Sequence, residues 1–174
     1  MPQIEIILST FSNHITNLWL LVDSTSQQLF VFQNNSKKSS FSVSTSKYGL
    51  GCQQDSNKTP TGAHCVAEKI GGNGFPNEIY KGRQATGEAA EIICTAQHSD
   101  EDLILSRIMW LRGLEDGHNH GEDVDSYHRY IYIHGTQEEG LLGTPASHGC
   151  IRMSNQDVMN LYEQVAEGTF VYIR

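Results

Sequence analysis

The feature that most constrains this chain is an alternating run, Arg129–Thr136, which reads Arg-Tyr-Ile-Tyr-Ile-His-Gly-Thr. Successive side chains of a β-strand point to opposite faces of the sheet. The run therefore predicts a strand with two different faces: Tyr130, Tyr132 and His134 on one, Ile131 and Ile133 on the other. Gly135 can release the backbone into a loop, so the strand is expected to end on an imidazole.

A second motif, Ser147–Arg152, follows a glycine-containing loop and reads Ser-His-Gly-Cys-Ile-Arg. A thiolate is a nucleophile, an imidazole can take its proton, and backbone amides can bind a developing oxyanion. We predict that Cys150 is the nucleophile of an acyl transfer and that His134 is its general base. The amides of Gly149 and Cys150 would bind the oxyanion. The alternatives are a buried structural thiol and a histidine packed in the core.

A neighbouring imidazole can lower the pKa of a thiol from about 8.5 to about 3.5–7.5. We therefore expect thiolate at Cys150 at neutral pH. A zinc site made of Cys150, His134 and His148 is an alternative use of the same residues. The segment His118–Asp125 is also rich in histidine and acid, but it lacks a strong zinc spacing. A solvated loop is favoured there, and neither a metal nor another cofactor is predicted.

The two motifs together resemble the signature of the L,D-transpeptidase catalytic domain, the YkuD-type family. The resemblance extends to the turn Thr59–Gly62, the hairpin Leu18–Phe32 and the closing helix and strand, Ser154–Ile173. It implies one catalytic domain over residues 1–174. The implied fold is mainly β, a sandwich or mixed sheet with one principal C-terminal helix packed on it.

The resemblance also implies roles for individual residues. The Gly135 carbonyl would accept a hydrogen bond from His134, and His148 would line the site beside the oxyanion amides or else bond within its loop. Arg152 is the candidate clamp for a substrate carboxylate, with a structural salt bridge as the alternative. Ser147 and Tyr132 complete the candidate substrate-binding set. The alternative role of Ser147 is hydrogen bonding within its loop, and the alternative role of Tyr132 is packing on the sheet.

Composition and charge restrict the partners. A chain of 174 residues is long enough to bury a core without disulfides or metal. Its net charge of −8 argues against nucleic acid and anionic membranes as main partners. The longest apolar run, Leu18–Val22, is too short to span a membrane. The oligomeric state is not indicated.

The N-terminal residues lack the basic and long apolar regions of a secretory signal. With Met1 as the natural start, this pattern predicts a cytoplasmic protein; a trimmed N-terminus would allow the periplasm. Cys52, Cys65 and Cys94 are interpreted as small buried hydrophobes. A Cys52–Cys65 disulfide is an alternative only if the protein is exported.

Local patterns predict the remaining elements. Strands are expected at Gln3–Leu8, Leu18–Val22, Gln28–Phe32, Phe41–Thr45 and Thr169–Ile173. The resemblance implies two more, Ala63–Ile70 and Ile104–Leu111, of which the second would by its own pattern be a strand or a short helix. Ser154 is predicted to cap a helix that buries Val158, Leu161, Tyr162 and Val165 and stops at Gly168.

The implied substrate is a peptidoglycan tetrapeptide or muropeptide. The family's cysteine attacks the L-centre carbonyl of meso-diaminopimelate and expels D-alanine. Water as acceptor makes an L,D-carboxypeptidase of murein recycling, which the predicted cytoplasmic location favours. An amine acceptor makes a periplasmic L,D-transpeptidase, the alternative. A catalytically silent muropeptide-binding module is an alternative of another class. Acylation of Cys150 by carbapenems is expected of either enzyme.

Overall fold

A computed structural model describes residues 2–174, with the side chains described from residue 4 onward. Ten strands and two α-helices form the described part, so the prediction of a mainly β fold is confirmed. The strands are β1 Leu18–Asp23, β2 Gln28–Gln33, β3 Ser36–Ser44, β4 Gly62–Ile70, β5 Glu78–Lys81, β6 Gln84–Ala89, β7 Ile104–Gly113, β8 Tyr132–Gly135, β9 Ile151–Met153 and β10 Phe170–Ile173. The α-helices are α1 Pro2–Thr10 and α2 Asn155–Gln164.

The strands form one mixed sheet in the order β4-β10-β1-β2-β3-β9-β8-β7-β5-β6. Strand β4 also pairs with β7, so eight of the strands close into a ring and the β5–β6 hairpin lies outside it. Two pairs, β1 with β10 and β8 with β9, are parallel, and the others are antiparallel. The β8–β9 pair brings the two sequence motifs side by side.

Side-chain alternation divides the apolar residues between the two faces of the sheet. On β8, Ile133 belongs to the largest core cluster, whereas Tyr132 packs with Trp110 and Cys150 on the opposite face. The strand begins only at Tyr132, however. Tyr130 lies before it with φ 57° and is 53% exposed, so the prediction that it shares a strand face and packs on the sheet is wrong.

The N-terminal strand prediction is also wrong. Residues Gln3–Leu8 lie within α1, because their apolar positions satisfy a helical period as well as an alternating one. Ile7 is buried against Trp19 and Phe170 on the outer face of the sheet, whereas Ile6 is exposed. The apolar face of β1 and β10 favours the helix, because one side of α1 packs against it. Met1 lies outside the described residues.

Helix α2 confirms the predicted cap and buried face, but it ends at Gln164 and not at Gly168. Ser154 caps it, its Oγ accepting from the backbone N–H of Asp157 at 3.1 Å, and Val158 and Leu161 are fully buried. Asn155, in the first turn, donates through Nδ2 to the Thr136 carbonyl at 2.8 Å. The helix therefore supports the backbone just beyond β8.

The four cysteines are free thiols. Cys52 is buried as predicted, but Cys65 is only half-buried and Cys94 is exposed. Cys94 lies in the irregular segment between β6 and β7, where no strand face covers it. No α-helix in residues 2–174 is long and apolar enough to cross a bilayer.

Candidate active site

Cys150 directly precedes β9 and lies half-buried beside the start of β8. Its Sγ accepts from the Tyr132 backbone N–H at 3.3 Å, and its S–H donates to the Tyr130 carbonyl at 3.4 Å. Tyr130 holds a left-handed backbone conformation, which is rare for a bulky residue and is tolerated where the surrounding structure imposes it. This backbone segment holds the thiol in one orientation.

Gly149 shapes the turn before the thiol. Its φ of 129° lies in the region that favours glycine, and a Cβ there would touch the Ile131 side chain and the Lys58 carbonyl. Its carbonyl accepts from the Thr59 Oγ1 at 2.9 Å. Thr59 is fully buried, and the same hydroxyl accepts from the Ser46 N–H at 2.9 Å. The threonine therefore ties the cysteine loop to two other segments.

The Ser147 side chain stabilises the same turn through two hydrogen bonds. Its Oγ donates to the Cys150 carbonyl at 2.6 Å and accepts from the Gly149 N–H at 3.3 Å. Ser147 is fully buried, so its placement in the substrate-binding set is wrong and the loop-shaping alternative is right. The Gly149 amide, one of the two predicted oxyanion donors, is thus held by a long internal hydrogen bond.

His134 is buried on β8, and its Nδ1 lies 2.7 Å from the Gly135 carbonyl oxygen. A carbonyl can only accept, so Nδ1 carries the proton and Nε2 is left as the basic nitrogen. A Cβ on Gly135 would collide with the Asn155 side chain and the Leu105 carbonyl, so only glycine fits. The predicted Gly135 acceptor is in place.

Burial lowers the pKa of His134 to about 4, against the opposing influences of Asp102 and the Gly135 carbonyl. Burial likewise raises the pKa of Cys150 to about 12, although the Tyr132 N–H and the neighbouring arginines favour the thiolate. Burial thus disfavours the charged form of each group and opposes the thiolate expected at Cys150 at neutral pH.

Among the hydrogen bonds of the described residues, none joins the Cys150 sulfur to His134. His134 lies on β8, and Cys150 directly precedes the parallel strand β9, whose register aligns Ile133 with Ile151. Their catalytic pairing stays a prediction.

Arg152 does not face the substrate. Its guanidinium is 2% exposed and forms ion pairs with Glu138 at 2.5 Å and Asp102 at 2.6 Å. The carboxylate-clamp prediction is wrong, and the salt-bridge alternative describes the residue. Two acids already occupy the donors that a substrate carboxylate would need.

Asp102 also accepts from the His148 Nδ1 at 2.7 Å, so it connects the exposed imidazole to the buried arginine. His148 is thus held by a hydrogen bond outside its own loop. Asp102 was missed in the sequence because it lies in an irregular acidic segment, 27 positions before the first motif and 45 before the second. Only the fold brings it to the site.

Tyr132 is 3% exposed and packs edge-on against Trp110, so its side chain does not belong to a substrate-binding set. Its hydroxyl accepts from Arg83 at 3.3 Å. Across the described residues, His134, His148 and Cys150 form no group suited to a metal ion, and the 118–125 loop forms none either.

Comparisons with known proteins identify the family of the chain. The YkuD family, described as the L,D-transpeptidase catalytic domain, matches residues 17–173. The Bacillus subtilis (strain 168) protein YqjB, which carries a provisional L,D-transpeptidase name, is 43% identical over 54 residues. That match covers 30% of this chain and 31% of YqjB.

Two solved structures share the fold. An L,D-transpeptidase from Mycobacterium smegmatis has a TM-score of 0.55 at 15% identity, over 91% of this chain and 58% of that one. L,D-transpeptidase 3 from Mycobacterium tuberculosis, in complex with a faropenem-derived adduct, has a TM-score of 0.57 at 15% identity, over 91% and 60%. The chain thus spans well under two thirds of these relatives. With a mainly β fold and a family match over residues 17–173, the chain belongs to the YkuD-type L,D-transpeptidase catalytic domain family.

Proposed function

We propose that the protein catalyses acyl transfer on peptidoglycan stem peptides, with Cys150 as nucleophile and His134 as general base. The observation that carries this proposal is the hydrogen bond from His134 Nδ1 to the Gly135 carbonyl, 2.7 Å long. It sets the tautomer that leaves Nε2 basic on the strand next to the thiol.

In the proposed first step, the Cys150 sulfur attacks the L-centre carbonyl of meso-diaminopimelate while the thiol proton passes to His134 Nε2. The new S–C bond places negative charge on the carbonyl oxygen, beside the Cys150 amide and the Gly149 amide. The C–N bond then breaks, and the imidazolium returns the proton to the departing D-alanine nitrogen. A thioester remains on Cys150.

In the second step we propose that water attacks the thioester and gives up its proton to His134. The C–S bond breaks, and tripeptide and thiol are released. The protein would then be an L,D-carboxypeptidase acting on soluble peptides of cell-wall recycling in the cytoplasm. Four free thiols, one of them exposed, support a reducing compartment.

The second candidate is an L,D-transpeptidase, in which an amine replaces water and forms a 3→3 cross-link or exchanges the terminal D-amino acid. The names of the similar proteins favour it, since each is called an L,D-transpeptidase. The two candidates share the thioester and differ only in what attacks it. The faropenem-derived adduct in one neighbour also supports β-lactams as probes of Cys150.

The deciding experiment incubates the purified protein with disaccharide-tetrapeptide, with and without excess D-amino acid, and follows products by mass spectrometry. Tripeptide as the main product supports the carboxypeptidase. Exchange product or dimer as the main product supports the transpeptidase. Cys150→Ala should abolish both, whereas Cys94→Ala, which removes an exposed thiol, should retain them. Unchanged peptide with the wild-type protein would contradict acyl transfer and favour the binding module.

A further inference from the structure

A further cationic side chain contacts Tyr132, whose backbone N–H binds the thiol, and it has no acidic partner among the described residues. Arg83 lies in the two-residue turn between β5 and β6, and its Nη1 donates to the Tyr132 hydroxyl at 3.3 Å. Within the described residues, no carboxylate lies within ion-pair distance of its guanidinium, in contrast to Arg152. The other N–H donors of Arg83 are therefore available to a ligand.

Aromatic rings hold this guanidinium in place. Its central carbon lies 4.7 Å from the ring centre of Trp110 and 5.2 Å from that of Tyr130. Stacking of this kind restrains a flexible arginine and leaves the edge of the planar group free for hydrogen bonds. An arginine prepared in this way loses less conformational entropy when it binds.

The same aromatic cluster supports Cys150. Tyr130 and Tyr132 hold the thiol through their backbone carbonyl and N–H, and their side chains contact Arg83. Cys150 itself packs against the buried cluster that contains Trp110 and Tyr132. The guanidinium and the nucleophile are thus connected through single residues, Tyr130 and Tyr132.

The backbone conformation of the turn does not favour an arginine, so the presence of Arg83 needs another explanation. Gly82 and Arg83 both have positive φ, 55° and 68°, as a tight two-residue hairpin turn requires. Glycine or asparagine is favoured at such positions, and a long side chain there is uncommon. The hairpin would form more readily with a different residue, so the arginine is not explained by the turn.

Arg83 also lines a cavity of about 390 Å³ formed with the Gly71–Gly74 loop and Tyr80. The acid on this cavity, Glu78, is buried and accepts from the Tyr80 hydroxyl at 3.1 Å. Glu68, the other acid near the cluster, accepts from the Tyr127 hydroxyl. Arg83 is therefore the cationic group that the cavity offers to a ligand.

We propose that Arg83 binds a carboxylate of the donor stem peptide and so positions the scissile carbonyl against Cys150. This inference rests on the proposed function for its substrate class, because the stem peptide carries several carboxylates and the previously predicted clamp, Arg152, is already paired. A guanidinium holds a carboxylate through two parallel hydrogen bonds.

The test measures binding and not turnover. Calorimetry compares tetrapeptide affinity for Cys150→Ala with that for the same protein carrying Arg83→Gln. We expect the dissociation constant to rise about 10- to 100-fold, as loss of a hydrogen-bonded charge pair does. Arg83→Lys should fall between, because it keeps the charge but loses the paired geometry. The matched control Lys81→Gln, an exposed residue of the same hairpin, should change affinity less than about twofold.

A series of tetrapeptides, each amidated at one carboxylate, identifies the partner group. The peptide lacking the bound carboxylate should bind both proteins equally. Equal affinity of the unmodified peptide for both proteins, or a difference that survives every amidation, would overturn the inference. Failure of the wild-type protein to turn over a peptide that binds through Arg83 would instead refute the proposed function alone. Absence of peptide binding to Cys150→Ala would refute both.

Discussion

At the scale of single residues, the site consists of neutral groups surrounded by charge. His134 and Cys150 are both desolvated, while Asp102 and Arg152 act on them with opposite signs. A neutral thiol is a poor nucleophile, so attack depends on proton transfer to the imidazole as the sulfur approaches the carbonyl. The arrangement favours concerted general-base catalysis over a preformed ion pair.

The pH dependence of the reaction tests this description. His134 acts as a base only when it is neutral, and its pKa is about 4, so kcat/KM should fall below about pH 4 and not near 6.5. Asp102→Asn removes a charge that raises this pKa, so the acidic limb should move to lower pH. Initial rates between pH 3.5 and 8 check both statements, with circular dichroism as the control for folding. An acidic limb near pH 6.5 in the wild-type protein would contradict the buried neutral imidazole.

At the scale of elements, loops from distant parts of the chain position the residues that the strands cannot. The Thr59–Gly62 turn holds the cysteine loop, the 97–103 segment brings Asp102 to it, and the β5–β6 turn presents Arg83. Strands β8 and β9 supply the two motifs themselves. The site is therefore built from residues of both strands and loops.

Thr59→Val tests the support of the cysteine loop. The substitution keeps the side-chain shape but leaves the Gly149 carbonyl and the Ser46 N–H without their partner. We expect a loss of about 1–3 kcal/mol in the free energy of unfolding. A lower kcat should accompany it, because the thiol would be less well placed.

The matched control for this experiment is Thr61→Val, whose hydroxyl lies two positions away and faces His118 at 3.2 Å. Urea denaturation should show a clearly smaller loss in the free energy of unfolding for Thr61→Val than for Thr59→Val. Steady-state rates should likewise show a clearly smaller loss in kcat. Equal losses in the two variants would mean that the Thr59 hydroxyl has no particular role in the loop.

The sequence was sufficient for the elements with strong periodicity. It predicted the β1–β2 hairpin and the cap and buried face of α2, because each combines an apolar period with a clear boundary. For β7 the pattern allowed a strand or a helix, and the family resemblance favoured the strand. The sequence failed at α1, where two periods compete, and at Tyr130, whose conformation depends on its neighbours. Asp102 and Arg83 could not be predicted, because tertiary contact alone relates them to the motifs.

At the scale of the whole molecule, closure of the ring buries two histidines in neutral form. His64 on β4 has its pKa lowered to about 4 by burial, as His134 does, while its Nε2 bonds to the Ser126 hydroxyl. Both bind a proton more readily in the unfolded chain, near pH 6.5. Acid therefore favours unfolding of the entire domain and not only of the site.

The sign of this effect gives a prediction. Between about pH 6.5 and pH 4 the unfolded chain holds more protons than the folded one, so the free energy of unfolding should fall as pH falls and should level off above 6.5. Each histidine contributes on the order of 3 kcal/mol across that window. Urea midpoints from pH 4.5 to 7.5 measure the slope. His64→Gln, which cannot be protonated, should remove about half of it; parallel curves for the two proteins would refute the assignment.

The β5–β6 hairpin lies outside the closed ring, its strand pairing with the ring is to β7, and every residue of β6 is exposed. Changes in its turn therefore leave the strand pairing of the ring intact. Arg83, which we propose binds a carboxylate of the substrate, can therefore vary with little effect on folding. A lineage could exchange one acidic peptide for another through this hairpin while its catalytic machinery stayed constant.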